Sequence, residues 1–94
     1  KLESMAEKAR LVENFMGCGK KRVLYIGHGI GLELNDWPVL GKKTAWRLEP
    51  GMVLALEPKM VFPESGAVGL ENDYLVTDTG VKRLSITDDT LIRL

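Results

Sequence analysis

The sequence has little of several features that mark particular classes of protein. It contains one cysteine, Cys18, which excludes an internal disulfide and favours a reducing, cytoplasmic compartment. Lysine plus arginine and aspartate plus glutamate each number 13, so the basic excess of a nucleic-acid footprint is missing and no nucleic-acid partner is expected. No apolar run approaches the roughly 20 residues of a membrane span, so we expect no membrane association either.

What remains is typical of a globular protein. The chain has 94 residues, enough for one domain and too few for two, with 45% hydrophobic and 28% charged residues. It begins at Lys1 with a helical pattern already under way at Leu2, and we therefore expect a fragment of a longer protein.

Apolar periodicity predicts one helix followed by several strands. In residues 2–16 the apolar side chains recur at spacings of three and four, and Gly17 and Gly19 are expected to end this helix. Turn signals occur at residues 35–38, 49–51, 63–66 and 78–80. Strand-like segments are found at residues 23–26, 32–34, 52–56, 59–62, 67–77 and 81–84, with a terminal strand or tail at 88–94.

Three side chains of metal-ligand type interrupt these apolar segments. His28, the only histidine, stands among glycines directly after the strand-like residues 23–26. Glu57 follows the apolar run 52–56, which has the composition of a strand buried on both faces. An unpaired buried carboxylate is costly, so Glu57 must be paired, neutralised or bound to a cation. With Glu71, these residues form a set that suits Mn²⁺, Fe²⁺, Co²⁺ or Zn²⁺.

The same residues admit a simpler interpretation. His28 could be an ordinary core histidine in a glycine-rich turn. The two carboxylates could cap turns or pair with Arg47, Arg83 or Lys59. Pattern and spacing alone leave the metal site and this alternative open.

Four blocks of sequence carry a resemblance to a known family. They are GHGIGLE at residues 27–33, LEPGMV at 48–53, LEP at 56–58, and GLEN at 69–72 with Val76, Thr77 and Gly80. In this order they resemble the C-terminal half of the pita-bread metallopeptidases (peptidase family M24), which include methionine aminopeptidase, Xaa-Pro aminopeptidase and Xaa-Pro dipeptidase. The blocks cover about residues 5–92. The short separation of Glu57 from Glu71 is more similar to the two Xaa-Pro branches.

The resemblance implies a fold and a set of roles. The fold is α+β, one N-terminal helix followed by a mostly antiparallel sheet, with residues 1–94 as the C-terminal half of the catalytic domain. The complete protein would hold two divalent metal ions (Mn, Co, Fe or Zn). His28 would bind one ion, Glu57 would bind metal and handle the proton of the bridging water, and Glu71 would bridge both ions.

The chain departs from the family pattern in two places. Two further aspartate ligands belong to strands upstream of the segment that this chain resembles, so the fragment alone is expected to be inactive and to bind metal weakly or not at all. Asn35 stands where family peptidases carry a second histidine that contacts substrate. Its amide can donate a hydrogen bond to a substrate carbonyl, but it cannot shuttle a proton near neutral pH.

Three functions are consistent with these features. The first is a metal-dependent exopeptidase that cleaves Xaa-Pro bonds in a peptide substrate. The second, motivated by Asn35, is a creatinase-like hydrolase or a binding module on the same fold. The third is a structural or interaction domain without a site. Half of a two-half fold would leave an apolar sheet face or strand edge uncovered, so a homo-oligomer is also expected.

Overall fold

The computed structural model of the chain describes residues 1–90 and has an α+β architecture, as predicted. The elements are α1 (Leu2–Lys8), β1 (Tyr25–Ile30), β2 (Asp36–Gly41), β3 (Val53–Leu56), β4 (Lys59–Phe62), β5 (Gly66–Gly69), β6 (Asn72–Thr77) and β7 (Gly80–Arg83). The short helix precedes a five-stranded sheet with the strand order β2-β1-β3-β6-β7, and β4 and β5 form a separate two-stranded hairpin. The strand pairings are antiparallel.

The N-terminal helix is shorter than the predicted 2–16. It ends because Arg10 adopts a left-handed conformation with φ of 59°. The Arg10 amide then donates to the Glu7 carbonyl at 3.0 Å and the Leu11 amide to the Ala6 carbonyl at 2.8 Å. These two bonds form a Schellman cap. The left-handed residue of this motif is usually glycine, and here it is Arg10. A 3₁₀ turn at Val12–Asn14 follows.

Residues 14–16 are hydrogen-bonded to strand β4 of the two-stranded hairpin. The Met16 amide donates to the Lys59 carbonyl at 2.9 Å, and the Asn14 side-chain amide donates to the Val61 carbonyl at 2.8 Å. Met16 is 3% exposed and Ala6 is 2% exposed. The buried apolar side chains that were predicted to lie on one long helix therefore come from α1 and from the non-α-helical residues that follow it.

Two predicted elements near His28 are wrong. Residues 32–34 lie in an exposed loop, and Leu32 is fully exposed. Residues 35–38 were expected to form a turn, but β2 begins at Asp36 and contains Pro38. Proline cannot donate to a ladder and is tolerated on an edge strand, and β2 is the edge of the five-stranded sheet. The strand predicted at 23–26 begins only at Tyr25 and continues through His28.

The centre of the sheet agrees with the sequence. Strand β3 pairs with β1 on one side and β6 on the other, and Leu54 and Ala55 are 3% and 1% exposed. The turn before it, residues 49–51, has Gly51 at φ of 94°, and the Met52 amide donates to the Glu49 carbonyl at 3.2 Å. This is the type II geometry that proline followed by glycine predicts.

The predicted strand 67–77 is divided into β5 and β6, which belong to different sheets. The β6–β7 hairpin forms as predicted. Residues 84–90 contain no strand, and the remainder of the predicted terminal strand, 91–94, lies outside the described residues. Within residues 1–90 no helix has the length and apolar character needed to cross a membrane.

Candidate metal centre

His28 lies in the middle of the sheet. It is on β1, opposite Val39 of the edge strand β2 and opposite Ala55 of the central strand β3. The residue is 7% exposed. An imidazole at this depth is held by strands on both sides, so its position is set by the sheet and not by a mobile loop.

The glycines on either side of His28 allow the neighbouring strands to approach. A Cβ at Gly27 would overlap the carbonyl oxygen of Ala55, and one at Gly29 would overlap the carbonyl of Trp37. Both obstacles are backbone atoms, which cannot swing aside. The glycine-rich pattern around the histidine therefore serves strand packing directly, whatever the imidazole binds.

Hydrogen bonding defines the two nitrogens of His28. Nδ1 lies 2.8 Å from the carbonyl oxygen of Gly29, a pure acceptor, so Nδ1 carries the proton and donates. Nε2 then presents a lone pair, and it lies 3.9 Å from Oε1 of Glu57. An imidazole whose far nitrogen donates to a carbonyl is the usual form of a metal-binding histidine.

Glu57 directly follows β3 and is anchored by its backbone. Its amide donates to the Ile26 carbonyl of β1 at 2.9 Å, which extends the β1–β3 ladder by one step. Its second carboxylate oxygen, Oε2, lies 4.0 Å from Nζ of Lys59. The side chains of Glu57 and Lys59 are 28% and 37% exposed, so solvent screens the pair and it contributes less than about 1 kcal/mol. The simpler interpretation, in which Glu57 pairs with Lys59, thus holds for Oε2, whereas Oε1 lies near His28.

Glu71 occupies the position opposite Glu57 in the pairing register. The β3–β6 ladder ends with Leu56 opposite Asn72, and the β4–β5 ladder begins with Lys59 opposite Gly69. The same register continues between them, since the Leu70 amide donates to the Pro58 carbonyl at 3.1 Å. Glu71 itself is exposed, and the described residues contain no cluster of three metal-ligand side chains. The structure therefore brings His28 to Glu57 and leaves the Glu71 side chain outside that pair.

Asn35 lies in the exposed loop that joins β1 to β2. The next residue is held more firmly, because Oδ1 of Asp36 accepts a hydrogen bond from the Trp37 amide at 2.8 Å. Trp37 is 70% exposed and its ring lies 5.2 Å from that of Trp46. The exposed Asn35 amide thus lies two residues before Trp37, one member of an exposed tryptophan pair.

The His28–Glu57 pair fits a divalent metal ion. Two donors of one ion, each about 2.1 Å from it, can lie no more than about 4.2 Å apart, and larger separations exclude shared coordination. The observed 3.9 Å between Nε2 and Oε1 is within this limit. One neutral imidazole and carboxylate oxygens are a donor set that first-row divalent metals accept.

The chain matches the description "Metallopeptidase family M24" over residues 1–78. It belongs to metallopeptidase family M24. The family assignment from the four sequence blocks is thereby confirmed, and divalent metal use is a property of the full-length members of this family.

Similar proteins of the M24 family include Xaa-Pro dipeptidases. The Xaa-Pro dipeptidase of Pyrococcus furiosus is 36% identical over 84 residues, covering 89% of this chain and 24% of the relative. A Bacillus anthracis Xaa-Pro dipeptidase structure superimposes with a TM-score of 0.83 at 32% identity, covering 98% of this chain and 24% of that one. Prolidase from Pyrococcus furiosus gives 0.79 at 30% identity, covering 92% and 23%. The pita-bread fold is confirmed, and this M24 chain spans about a quarter of the length of these relatives.

Two residues near the site were not identified from sequence. Asp73 lies opposite Ala55, which lies opposite His28, so the three share one row across three strands. Asn72 is 6% exposed on the other side of β6. Strand alternation predicts that Glu71 and Asp73 share a face, but only the register of β6 against β3 brings that face level with His28.

Proposed function

We propose that the protein containing this chain is a metal-dependent exopeptidase that cleaves Xaa-Pro peptide bonds, with residues 1–94 as the C-terminal half of its catalytic domain. The observation that carries this proposal is the 3.9 Å approach of Nε2 of His28 to Oε1 of Glu57 on adjacent strands. The names of the similar proteins from Pyrococcus furiosus and Bacillus anthracis support the Xaa-Pro specificity.

In this proposal His28, Glu57 and Glu71 are metal ligands. They would hold divalent ions (Mn, Co, Fe or Zn), and the chemistry these would supply is polarisation of the scissile carbonyl and a lowered pKa of the attacking water. Nε2 of His28 is the free imidazole nitrogen, because Nδ1 is occupied by the Gly29 carbonyl. Glu57 also accepts the proton of the attacking water. Its backbone bond to Ile26 holds the carboxylate close to the imidazole while the proton is transferred.

The position of Glu71 supports its role as the bridging ligand. Like charges that face each other across two strands destabilise a sheet. Glu57 and Glu71 stand at opposed positions where Pro58 interrupts the ladder. Glu57 and Glu71 would both bind a divalent ion, whose charge would offset this repulsion.

We further propose a cytoplasmic protein that forms a homo-oligomer, with the isolated fragment inactive. The single cysteine supports the compartment. Exposed apolar side chains support self-association: Leu24, Leu32, Leu34, Trp37 and Ile86 are each at least 70% exposed.

Asn35 favours a second candidate, a creatinase-like hydrolase or a binding module on the same fold. The residue is exposed in the loop after β1, where an amide can hold a substrate carbonyl but cannot transfer a proton at neutral pH. In that case substrate binding would be retained and Xaa-Pro cleavage lost.

The test uses the intact protein that contains this chain, assayed with Xaa-Pro dipeptides after metal removal and after addition of Mn²⁺ or Co²⁺. We expect metal-dependent turnover that His28→Ala abolishes. Binding of dipeptide without turnover in either metal would favour the second candidate. Turnover that is unaffected by metal removal would reject the metallopeptidase.

A further inference from the structure

The buried side of β6 carries a polar residue that packing does not explain. Asn72 is 6% exposed, and it lines a pocket of about 180 Å³ that is otherwise walled mainly by apolar side chains, including Leu2, Leu56 and Leu70. Its Nδ2 donates to Oδ1 of Asp89 at 3.1 Å. Its Oδ1 has no hydrogen-bond partner among residues 1–90. The orientation of the amide is determined, because a carboxylate can only accept.

Asp89 is itself held by a two-pronged contact with β7. Nη1 of Arg83 donates to Oδ2 of Asp89 at 3.0 Å, and Nη2 donates to Oδ1 at 2.8 Å. Nη2 also donates to the Thr87 carbonyl at 2.6 Å. Charge-assisted, bidentate pairs of this kind have a defined geometry. The position of the Asp89 carboxylate is therefore fixed, and Asn72, the first residue of β6, donates a hydrogen bond to it.

Stability alone does not account for an asparagine at this position. A buried amide with one end unpaired costs free energy, while an apolar side chain of the same size would pack against Leu2 and Leu56 without that cost. Asp89 would keep its contacts with Arg83 after such a replacement. What Asn72 adds is a hydrogen bond of defined direction from the first residue of β6 to Asp89.

That end of the strand is where the candidate ligands leave the sheet. Asn72 and Leu56 form the last pair of the β3–β6 ladder, and Glu71 and Glu57 are the residues immediately beyond them. We propose that Asn72 is a positioning residue, which holds the start of β6 through Asp89 so that Glu71 remains level with Glu57. This inference rests on the proposed function, since it assigns Asn72 a role towards the metal ligands.

The experiment compares Asn72→Leu with wild type in the intact protein. Calorimetric titration of the metal-free protein with Mn²⁺ gives affinity and stoichiometry, urea unfolding gives stability, and a Xaa-Pro dipeptide assay separates kcat from KM. We expect Mn²⁺ affinity and kcat to fall about 10–100-fold, the usual effect of removing a residue that orients a metal ligand. The unfolding midpoint of the metal-free protein should not fall, and KM should stay near wild type.

A matched control is Asn14→Leu, since Asn14 is an amide that donates one partly buried hydrogen bond, to the Val61 carbonyl and not to Asp89. It should leave Mn²⁺ affinity and kcat unchanged. A second pair uses exposed positions, so that folding is not at risk. Asp89→Ala should reproduce the effect of Asn72→Leu, and the adjacent Asp88→Ala should not. The double variant of Asn72 and Asp89 should lose no more affinity than either single variant.

Three outcomes would overturn this inference, and they differ in what they leave of the proposed function. Wild-type protein that binds two Mn²⁺ ions, together with an Asn72→Leu variant of equal affinity and kcat, overturns the positioning role and leaves the peptidase intact. Wild-type protein that neither binds Mn²⁺ nor cleaves Xaa-Pro dipeptides overturns both. A loss of stability in Asn72→Leu with unchanged metal affinity likewise assigns the residue a purely structural role.

Discussion

Glu57 and Glu71 occupy opposed positions in one continuous pairing register, at the step between the β3–β6 ladder and the β4–β5 ladder. The Glu57 amide donates to Ile26 on β1, so its backbone does not bond towards β6 at this step. In an antiparallel sheet, residues opposed without mutual hydrogen bonds have the closest side-chain positions. Glu57 and Glu71 therefore form a non-hydrogen-bonded pair of positions across the two strands, with like charges on both.

Removing one of these charges should have opposite effects with and without metal. Glu71→Gln relieves a like-charge pair across two strands, so the metal-free intact protein should gain about 0.5 kcal/mol in unfolding free energy. The same change removes a proposed ligand, so the increase in stability on adding Mn²⁺ should shrink or vanish. Urea unfolding with and without Mn²⁺ measures both effects. An unchanged metal-dependent increment would show that Glu71 is not a ligand.

The cap of α1 predicts a stabilising substitution. Arg10 has φ of 59°, a conformation that costs most residues about 1–2 kcal/mol and costs glycine almost nothing. Arg10→Gly should therefore raise the unfolding free energy by about 0.5–1 kcal/mol after allowing for the greater chain entropy of glycine. Arg10→Ala is the control, since alanine keeps the strain. Equal stability of the two variants would contradict a strained cap.

Features that depend on neighbouring residues could be predicted from the sequence, and features that depend on the tertiary structure could not. The buried strand at 52–56 and the turn before it were predictable because each depends on neighbouring residues: an apolar run, and proline followed by glycine. The end of the helix was not predictable, because the sequence pattern places it at Gly17, whereas the left-handed residue that ends α1 is Arg10. Likewise Asp36, Trp37 and Pro38 have the composition of a turn, and only the edge position of β2 allows them to form a strand.

For the site, the sequence identified candidate ligand residues, but it did not predict which residues lie beside them in space. His28 and Glu57 stand out because a lone imidazole and a carboxylate interrupt apolar strands. Asn72 gave no such signal, since its importance depends on Asp89, which lies 17 residues away along the chain. Asp73 was also missed, because its alignment with Ala55 and His28 is a property of the strand register.

The loop residue Asn35 gives a prediction about chemistry. Asn35→His introduces an imidazole with a pKa near 6.5 at the exposed position where family peptidases carry a histidine. We expect kcat for Xaa-Pro dipeptides to rise about 100-fold, the lower end of the range for general acid–base catalysis. The gain should follow the protonation state of the new imidazole across pH 5–8. Asn35→Gln, which keeps an amide, should show no such pH dependence, and a gain in both variants would contradict a proton-transfer role.

The last prediction concerns the glycine beside the histidine. A Cβ at Gly29 would overlap the Trp37 carbonyl, which is backbone and cannot rotate away, so Gly29→Ala should force β2 from β1. We expect a loss of about 3 kcal/mol in unfolding free energy, the upper range for overpacking. Gly69→Ala is the matched control in a strand, because its nearest neighbour is the Lys59 side chain at 3.1 Å, and it should cost less. Because His28 lies between Gly29 and Gly27, Mn²⁺ affinity should fall in Gly29→Ala and persist in Gly69→Ala. Equal losses in both variants would mean that the close approach of β1 and β2 does not hold the imidazole in place.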